Sequence, residues 1–316
     1  MYMSVKEAAL KWGISERRVR VLCEEGRVDG VVRTSWAWNI PFDAPKPSDG
    51  RTLRHMKNLD LRLGRMEFSR FEEQKEIIRT SDPTSLRATY HALLPKMILG
   101  LFRLEGISIE GTELAILYSQ SFLPNLSFET QLVALNMRSL LNRMLTSIGL
   151  GSIQGNANPK MSEQRLHYYY GQLLQGLDDA PPAYEERIVI QEGKRYPIPH
   201  QMELLFIQYE QEWRCLHPVV RSLFLFGELM RIRPFGHYDW FIASLAFSEE
   251  MLKGGYLPTL LESEDIDEFR SALLLTNSKG NYQNLLALIE QQQMRAVSRL
   301  TVRSVEGTSS FAGFSD

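Results

Sequence analysis

Cysteine is nearly missing from the 316 residues: only Cys23 and Cys215 occur, far apart in the chain. Two distant thiols build neither a disulfide framework nor a zinc site, and they suit a reducing compartment. No apolar run approaches the ~18 residues of a membrane span, so no membrane partner is expected. The opening MYMSVKEAALKWG carries charge early and lacks a long apolar stretch, which does not read as a secretory signal. These absences together predict a cytoplasmic protein. An excess of positive charge is missing too. Lys and Arg number 36 against 38 Asp and Glu, a net of −2. Any nucleic-acid contact must therefore come from a local patch. There is no Walker-type phosphate loop, the glycines at 151–155 being too sparse. No His, Cys or acidic cluster has metal-ligand spacing. What remains is an ordinary globular composition, 44% hydrophobic and 23% charged. The chain is long enough for a sizeable core and a second small unit.

The first 44 residues read as that small unit. Ser4 and Glu7 make a capping-box pattern ahead of a short helix through Ala8, Ala9, Leu10 and Trp12, which stops at Gly13. Ser15 caps a second helix, SERRVRVLCEEG, ending at Gly26. Its Val19, Leu22 and Cys23 share the core side, while Arg17, Arg18 and Arg20 turn elsewhere. RVDGVVRTSWAWNIP is β-branched and aromatic around Asp29-Gly30, and predicts strands joined by a tight turn there. Two short helices joined by a tight turn carry the helix-turn-helix pattern, whose second helix enters the major groove. The planar fork of arginine suits phosphate or guanine edges. Arg17, Arg18, Arg20 and, on the hairpin, Arg33 are thus candidate DNA contacts. Residues 1–60 hold eleven Lys and Arg against eight Asp and Glu, a net of +3, which leaves −5 for the remainder. The other reading of the same arginines is a solvated helix face on a module that docks on protein.

The stretch SVKEAALKWGISERRVRVLCEEGRVDGVVRTSWAWNIP, followed by DAPKP, resembles the MerR-like and excisionase-like winged helix-turn-helix family. The resemblance implies a hairpin wing that reaches toward the minor groove or the backbone. It also implies a small core closed by Trp36 or Trp38 with Ile40 and Pro41. DNA is the implied partner. One such module offers few base contacts, so useful specificity calls for a dimer.

The Pro, Ser and Gly of DAPKPSDGR, residues 43–51, leave no periodic pattern and mark a linker, so that 45–59 reads as linker, 60–300 as a helical domain and 301–316 as a flexible tail. Within the large domain, apolar positions three and four apart predict helices from about 60 to 150. Ser162 caps a further helix, IVIQEGKRYPI predicts a β-hairpin about Glu192-Gly193, and helices resume over 200–255 and 265–300. The fold class is mainly α with two small β-hairpins. His91 and His167, on helical faces, read as structural; His55 falls in the linker and His200 just beyond the second hairpin, and neither carries a signal. The run Tyr168-Tyr169-Tyr170 reads as core packing sooner than as a stacking surface.

Residues 217–258, HPVVRSLFLFGELMRIRPFGHYDWFIASLAFSEEMLKGGYLP, read as an apolar helix, a short loop at Arg233-Pro234-Phe235-Gly236 and a second helix. Free N–H groups make such a helix start a natural anion site. This region resembles the Fic (Fido) domain family, where an apolar helix leads into His-x-Phe-x-acid-Gly-Asn-Gly-Arg with a second Arg three residues on. His217-Pro218 opens the leading helix, Phe235 is retained, and Gly255-Tyr256 ends the following helix. The hairpin at 184–198 resembles the family's target-docking flap, and SEQRLHYYYGQLLQGL resembles the helix before it. The resemblance spans about 60–300 and implies an all-helical Fic-like domain with a β-hairpin flap.

Fic enzymes transfer AMP from ATP to a protein hydroxyl with the help of Mg. In this chain Arg233 stands where the family has its general base, and a guanidinium cannot accept a proton. His237 stands at the metal-holding acid and brings no fixed negative charge. Tyr238, Asp239 and Trp240 replace the small phosphate-cradling turn, and Asp239 adds a negative charge there. Phe241 and Ser244 occupy the two arginine positions. The loop then has two readings. Either Arg233 binds an anion and His237 acts as a base, or Arg233 makes a structural salt bridge while His237 and Asp239 cap the helix. Glu110-Gly111, in GISIEGTEL, resembles the family's inhibitory motif, although Gly106 replaces its Ser or Thr. Glu110 either points into the old pocket toward Arg233 or is a solvated helix-start residue. The sequence thus points to a DNA-binding regulator whose Fic-like domain has lost its catalytic set and serves protein interaction, dimerisation or ligand sensing. The alternative is an enzyme that still transfers AMP or a related phosphate-containing group, with ATP and Mg as cofactors.

Overall fold

The computed structural model describes residues 2–24, 28, 30–34, 37–44, 68–119, 122–148, 160–177, 183–186, 188–191, 194–258 and 265–309. The chain divides into two compact units, Met1–Asp60 and Leu61–Asp316. The expected linker 45–59, His55, Trp36 and the Glu192-Gly193 turn lie outside the described residues.

In the first unit Ser4 caps helix α1 (Val5–Trp12) through the capping box with Glu7, and Gly13 closes it in the left-handed conformation. Helix α2 (Glu16–Glu24) starts where the Ser15 hydroxyl accepts the Arg18 N–H at 3.3 Å. Strands β1 (Tyr2–Met3), β2 (Val32–Thr34) and β3 (Ala37–Pro41) form an antiparallel sheet in the order β1-β3-β2. Strands β2 and β3 pair with Thr34 opposite Ala37, so they are not joined through Asp29-Gly30 as the composition suggests. Trp12, Val19, Leu22, Cys23, Val28 and Ile40 make the core. Trp12 also donates from Nε1 to the Ala44 carbonyl at 3.4 Å, which fastens the chain leaving the sheet to the first helix. Trp38 only flanks this core, and Ile40 fills it.

The second unit is helical, with one hairpin. Its elements are α3 (Ser69–Thr80), α4 (Pro83–Glu105), α5 (Gly111–Tyr118), α6 (Phe128–Ile148) and α7 (Glu163–Leu173). Strands β4 (Ile188–Gln191) and β5 (Lys194–Pro197) pair antiparallel. They are followed by α8 (Ile198–Gln208), a π-helical turn at Tyr209–Trp213, α9 (Pro218–Ile232), α10 (Asp239–Lys253), α11 (Ile266–Lys279) and α12 (Gln283–Ser309). The last helix carries the fold past position 300 to Ser309, into the stretch expected to be a tail. Helices α9 and α10 form the central antiparallel pair, and α10 also packs on α4, α6 and α7. Nearly every residue of α10 is buried, so its sequence lacks a polar face. Gly227 on α9 admits the ring of Tyr282, whose hydroxyl would lie 2.7 Å from any Cβ placed there. No helix among the described residues is long and apolar enough to cross a membrane.

Candidate functional site

The loop between α9 and α10 is bent by left-handed backbone at Arg233 (φ 50°), Gly236 (φ 76°) and Tyr238 (φ 58°). Among the described residues Arg233 and Tyr238 are the two non-glycine positions with positive φ. Such geometry persists only where surrounding contacts hold it. Here they do. The Arg233 N–H closes α9 on the Leu229 carbonyl at 2.7 Å. The Tyr238 hydroxyl reaches the Glu129 carboxylate at 2.5 Å, and its ring meets Phe241 edge-on at 5.7 Å. Burial and the Glu129 carboxylate push the Tyr238 phenol far above its ordinary range. Phe235 lies in an aromatic cage, stacked on Tyr170 at 4.2 Å and flanked by His167 and Tyr184, each at 5.5 Å.

One N–H group of the loop and one of the helix start are already in use. The Phe235 N–H donates to Asp239 Oδ1 at 3.0 Å. The Trp240 N–H donates to Glu105 Oε1 at 3.2 Å, so the last residue of α4 lays its carboxylate on the positive end of α10. Burial holds the Glu105 carboxyl above its ordinary range, against the opposing pull of the Trp240 N–H, Arg233 and His237. Arg233 Nε stands 3.7 Å from Asp239 Oδ2, with the Arg233 side chain 44% exposed. The segment before β4 leans on the same loop. The Glu185 N–H donates to the Pro234 carbonyl at 2.8 Å, and the Glu185 carboxyl carbon would stand 2.9 Å from a Cβ at Gly236.

Of the residues singled out in the sequence, the structure gathers Arg233, Phe235 and Asp239 on this loop. His237 is exposed there. Ser244 lies buried a turn along α10, its hydroxyl without a hydrogen-bond partner among the described residues. Phe241 is fully buried against Phe102 at 5.1 Å. Glu110 is not at the loop: it is exposed at the N-cap of α5, where its N–H donates to Glu113 at 2.9 Å. The carboxylate that meets α10 is Glu105, five positions earlier. Nothing in RLEG marks it out, because its partner lies 135 residues away. Among the described residues no three His, Cys, Asp or Glu side chains are grouped to hold a metal ion.

In the first unit Arg17 is exposed at the start of α2. Arg20 pairs with Glu16 at 2.9 Å, both about half exposed. Arg33, on β2, lies over the Trp38 ring at 5.2 Å.

A helical unit built on a central antiparallel pair, with a hairpin segment leaning on the loop between them, has solved counterparts. Fic-1 from C. elegans matches with a TM-score of 0.61 at 17% identity, over 80% of this chain and 74% of that one. A Fic domain containing signaling protein from Bacteroides thetaiotaomicron matches with a TM-score of 0.60 at 16% identity, over 74% of this chain and 95% of that one. The fold is Fic-like. No protein-family model matches the sequence, and no curated protein matches it. The likeness to the Fic structures therefore concerns the course of the chain and leaves the chemistry of the loop to its own residues.

Proposed function

We propose that the protein is a DNA-binding regulator in which the Fic-like unit serves protein interaction, dimerisation or ligand sensing and does not transfer AMP. The observation that carries this reading is the first unit. Two short helices and a three-stranded sheet close a core of their own, and the second helix leaves Arg17 in solvent. This supports the reading as a winged helix-turn-helix, whose second helix enters the major groove. Arg33 and Trp38 on the hairpin fit a wing that lies against the DNA backbone. Gel-shift titration of the full chain tests it. Arg17→Ala combined with Arg18→Ala should weaken binding and lower the salt slope by roughly 1–2, about one for each phosphate that is no longer neutralised. Unchanged affinity in the double variant refutes the DNA reading.

The second half of the proposal rests on the helix start of α10. A nucleotide phosphate brought there would face the Glu105 and Asp239 carboxylates, which already hold the Trp240 and Phe235 N–H groups. Arg233, aligned with the family's base, stays protonated. His237, aligned with the metal-holding acid, is an exposed imidazole and a poor match for Mg, which favours oxygen ligands. The loop residues thus fit neither Mg nor a triphosphate. Calorimetry with ATP and Mg should show no binding, and radiolabelled ATP should leave the protein and added proteins unlabelled. Labelling abolished by Arg233→Ala or His237→Ala would establish the competing enzyme reading.

A further inference from the structure

The loop between α9 and α10 is one end of the central helix pair. The other end, twelve residues back along α9 from Arg233, lies roughly 18 Å away at 1.5 Å per residue. There a cavity of about 190 Å³ opens, and its charged lining consists of Lys160, Glu210, Arg214, Arg221, Glu250 and Lys253. Beneath it lie two consecutive carboxylates, Glu249 and Glu250, whose side chains are 0% and 2% exposed. Buried carboxylates are tolerated only with close cations and hydrogen bonds. Glu249 has Arg165 at 3.0 Å, Lys253 at 2.6 Å and the Tyr169 hydroxyl. Glu250 has Arg221 at 2.6 Å and Lys253 at 3.4 Å.

The wall of the cavity remains positive after these pairings. Its lining carries Lys160, Arg214, Arg221 and Lys253 against Glu210 and Glu250, four charges against two, a net of +2. Glu249, behind the wall, has Arg165 of its own and leaves that balance unchanged. Glu210 is taken by Lys160 at 3.3 Å. Arg221 gives Nε to Glu250 and Nη1 to the Arg214 carbonyl at 3.3 Å, which uses two of the five N–H donors of a guanidinium. Its side chain, 18% exposed, lines the cavity and is held there by these two bonds. Arg214 stands exposed at the rim, directly after the π-helical turn. π-helical turns are frequent at functional sites.

We propose that this cavity binds a small tetrahedral dianion, either inorganic phosphate or the phosphate of a small monoester. Arg221 is its pre-positioned fork and Arg214 its rim contact. The charge surplus sets the sign of the ligand, and the fork suits a phosphate geometry. The volume, about six waters at ~30 Å³ each, admits a phosphate with a short organic body. It falls below the ~300–1,000 Å³ of sites for larger ligands, so a nucleotide does not fit. This site is independent of the DNA reading and of the 233–240 loop.

Isothermal calorimetry on the full chain tests it, with inorganic phosphate, glycerol phosphate and chloride at matched ionic strength. Saturable binding of one phosphate species and not of chloride is expected. Tighter binding of phosphate identifies the free ion, and tighter binding of glycerol phosphate identifies a monoester. Arg214→Glu, at an exposed position, should weaken binding about tenfold or more while leaving the thermal melt unchanged. Arg17→Ala with Arg18→Ala should leave it intact, which separates this site from the first unit. No saturable binding, or equal binding by wild type and Arg214→Glu, overturns the proposal.

Discussion

Asp239 is where a structural and a catalytic role for the loop give different numbers. Its carboxylate is 2% exposed and accepts the buried Phe235 N–H at 3.0 Å. A hydrogen bond to an ionised acceptor contributes ~1.5–3 kcal/mol, and removing the acceptor strands the donor. The Arg233 contact at 3.7 Å adds little, because the guanidinium is nearly half exposed and solvent screens it to below ~0.5 kcal/mol. Asp239→Ala should therefore cost about 2–3 kcal/mol. At ~2–4 °C per kcal/mol for a unit of this size, that is a Tm lowered by roughly 4–12 °C. Asp239→Asn keeps a neutral oxygen on the same N–H and should cost about 1 kcal/mol. Thermal and urea melts of the full chain, followed by circular dichroism and corrected for any separate transition of the first unit, give both values. Asp239→Ala within ~0.5 kcal/mol of wild type, or Asn as costly as Ala, would show that the carboxylate does not hold this loop.

Glu105 yields a prediction about pH. Its carboxyl is raised in the fold by burial, so above the ordinary glutamate range of ~4.3 the folded chain binds more protons than the unfolded one. Stability from this group accordingly falls as pH rises through the window between the unfolded and the raised folded value. Glu105→Gln keeps an oxygen for the Trp240 N–H and should flatten that decline; an unaltered slope in urea melts from about pH 4 to 8 would discount the burial. Gly227→Ala drives a methyl into the Tyr282 hydroxyl and ring, at 2.7 and 2.9 Å, and should cost ~1–3 kcal/mol. Adding Tyr282→Phe should recover part of that loss, since it removes the nearest atom, and a double variant no more stable than Gly227→Ala speaks against the packing account.

Local chemistry makes much of this fold legible. The Ser4–Glu7 box, the Ser162 cap and the 188–197 hairpin are short-range patterns, and each stands where its residues place it. Strand β1, two residues long, has no periodicity to detect. The register of the first hairpin escapes a reading by composition because Asp29-Gly30 carries a strong turn signal, while it is Thr34 that stands opposite Ala37. Ser248, Glu249 and Glu250 are fully buried, which no local pattern signals, because the cations that make this tolerable come from α7, α9 and the end of α10. The presence of Glu105 at the loop, in place of Glu110, has the same origin. A motif match follows spacing along the chain, whereas the carboxylate that meets α10 is chosen by where α4 ends in space.

That choice bears on how the positive end of a helix can be neutralised from within the fold. A helix start with inward N–H groups keeps its attraction for negative charge whatever its neighbours do, because the attraction resides in the backbone. If small turn residues give way to Tyr238, Asp239 and Trp240, water is displaced and unpaired N–H groups become expensive. The lowest-energy outcome is an internal anion, and the loop has two, Asp239 from its own helix and Glu105 from α4. Creating a phosphate site at the loop would then require removing both carboxylates together, since either one alone still holds an N–H and repels an incoming phosphate. On this account Glu105→Gln with Asp239→Asn should gain measurable phosphate affinity at the loop while each single change gains none, and additive gains from the single variants would show that the two carboxylates do not guard one site.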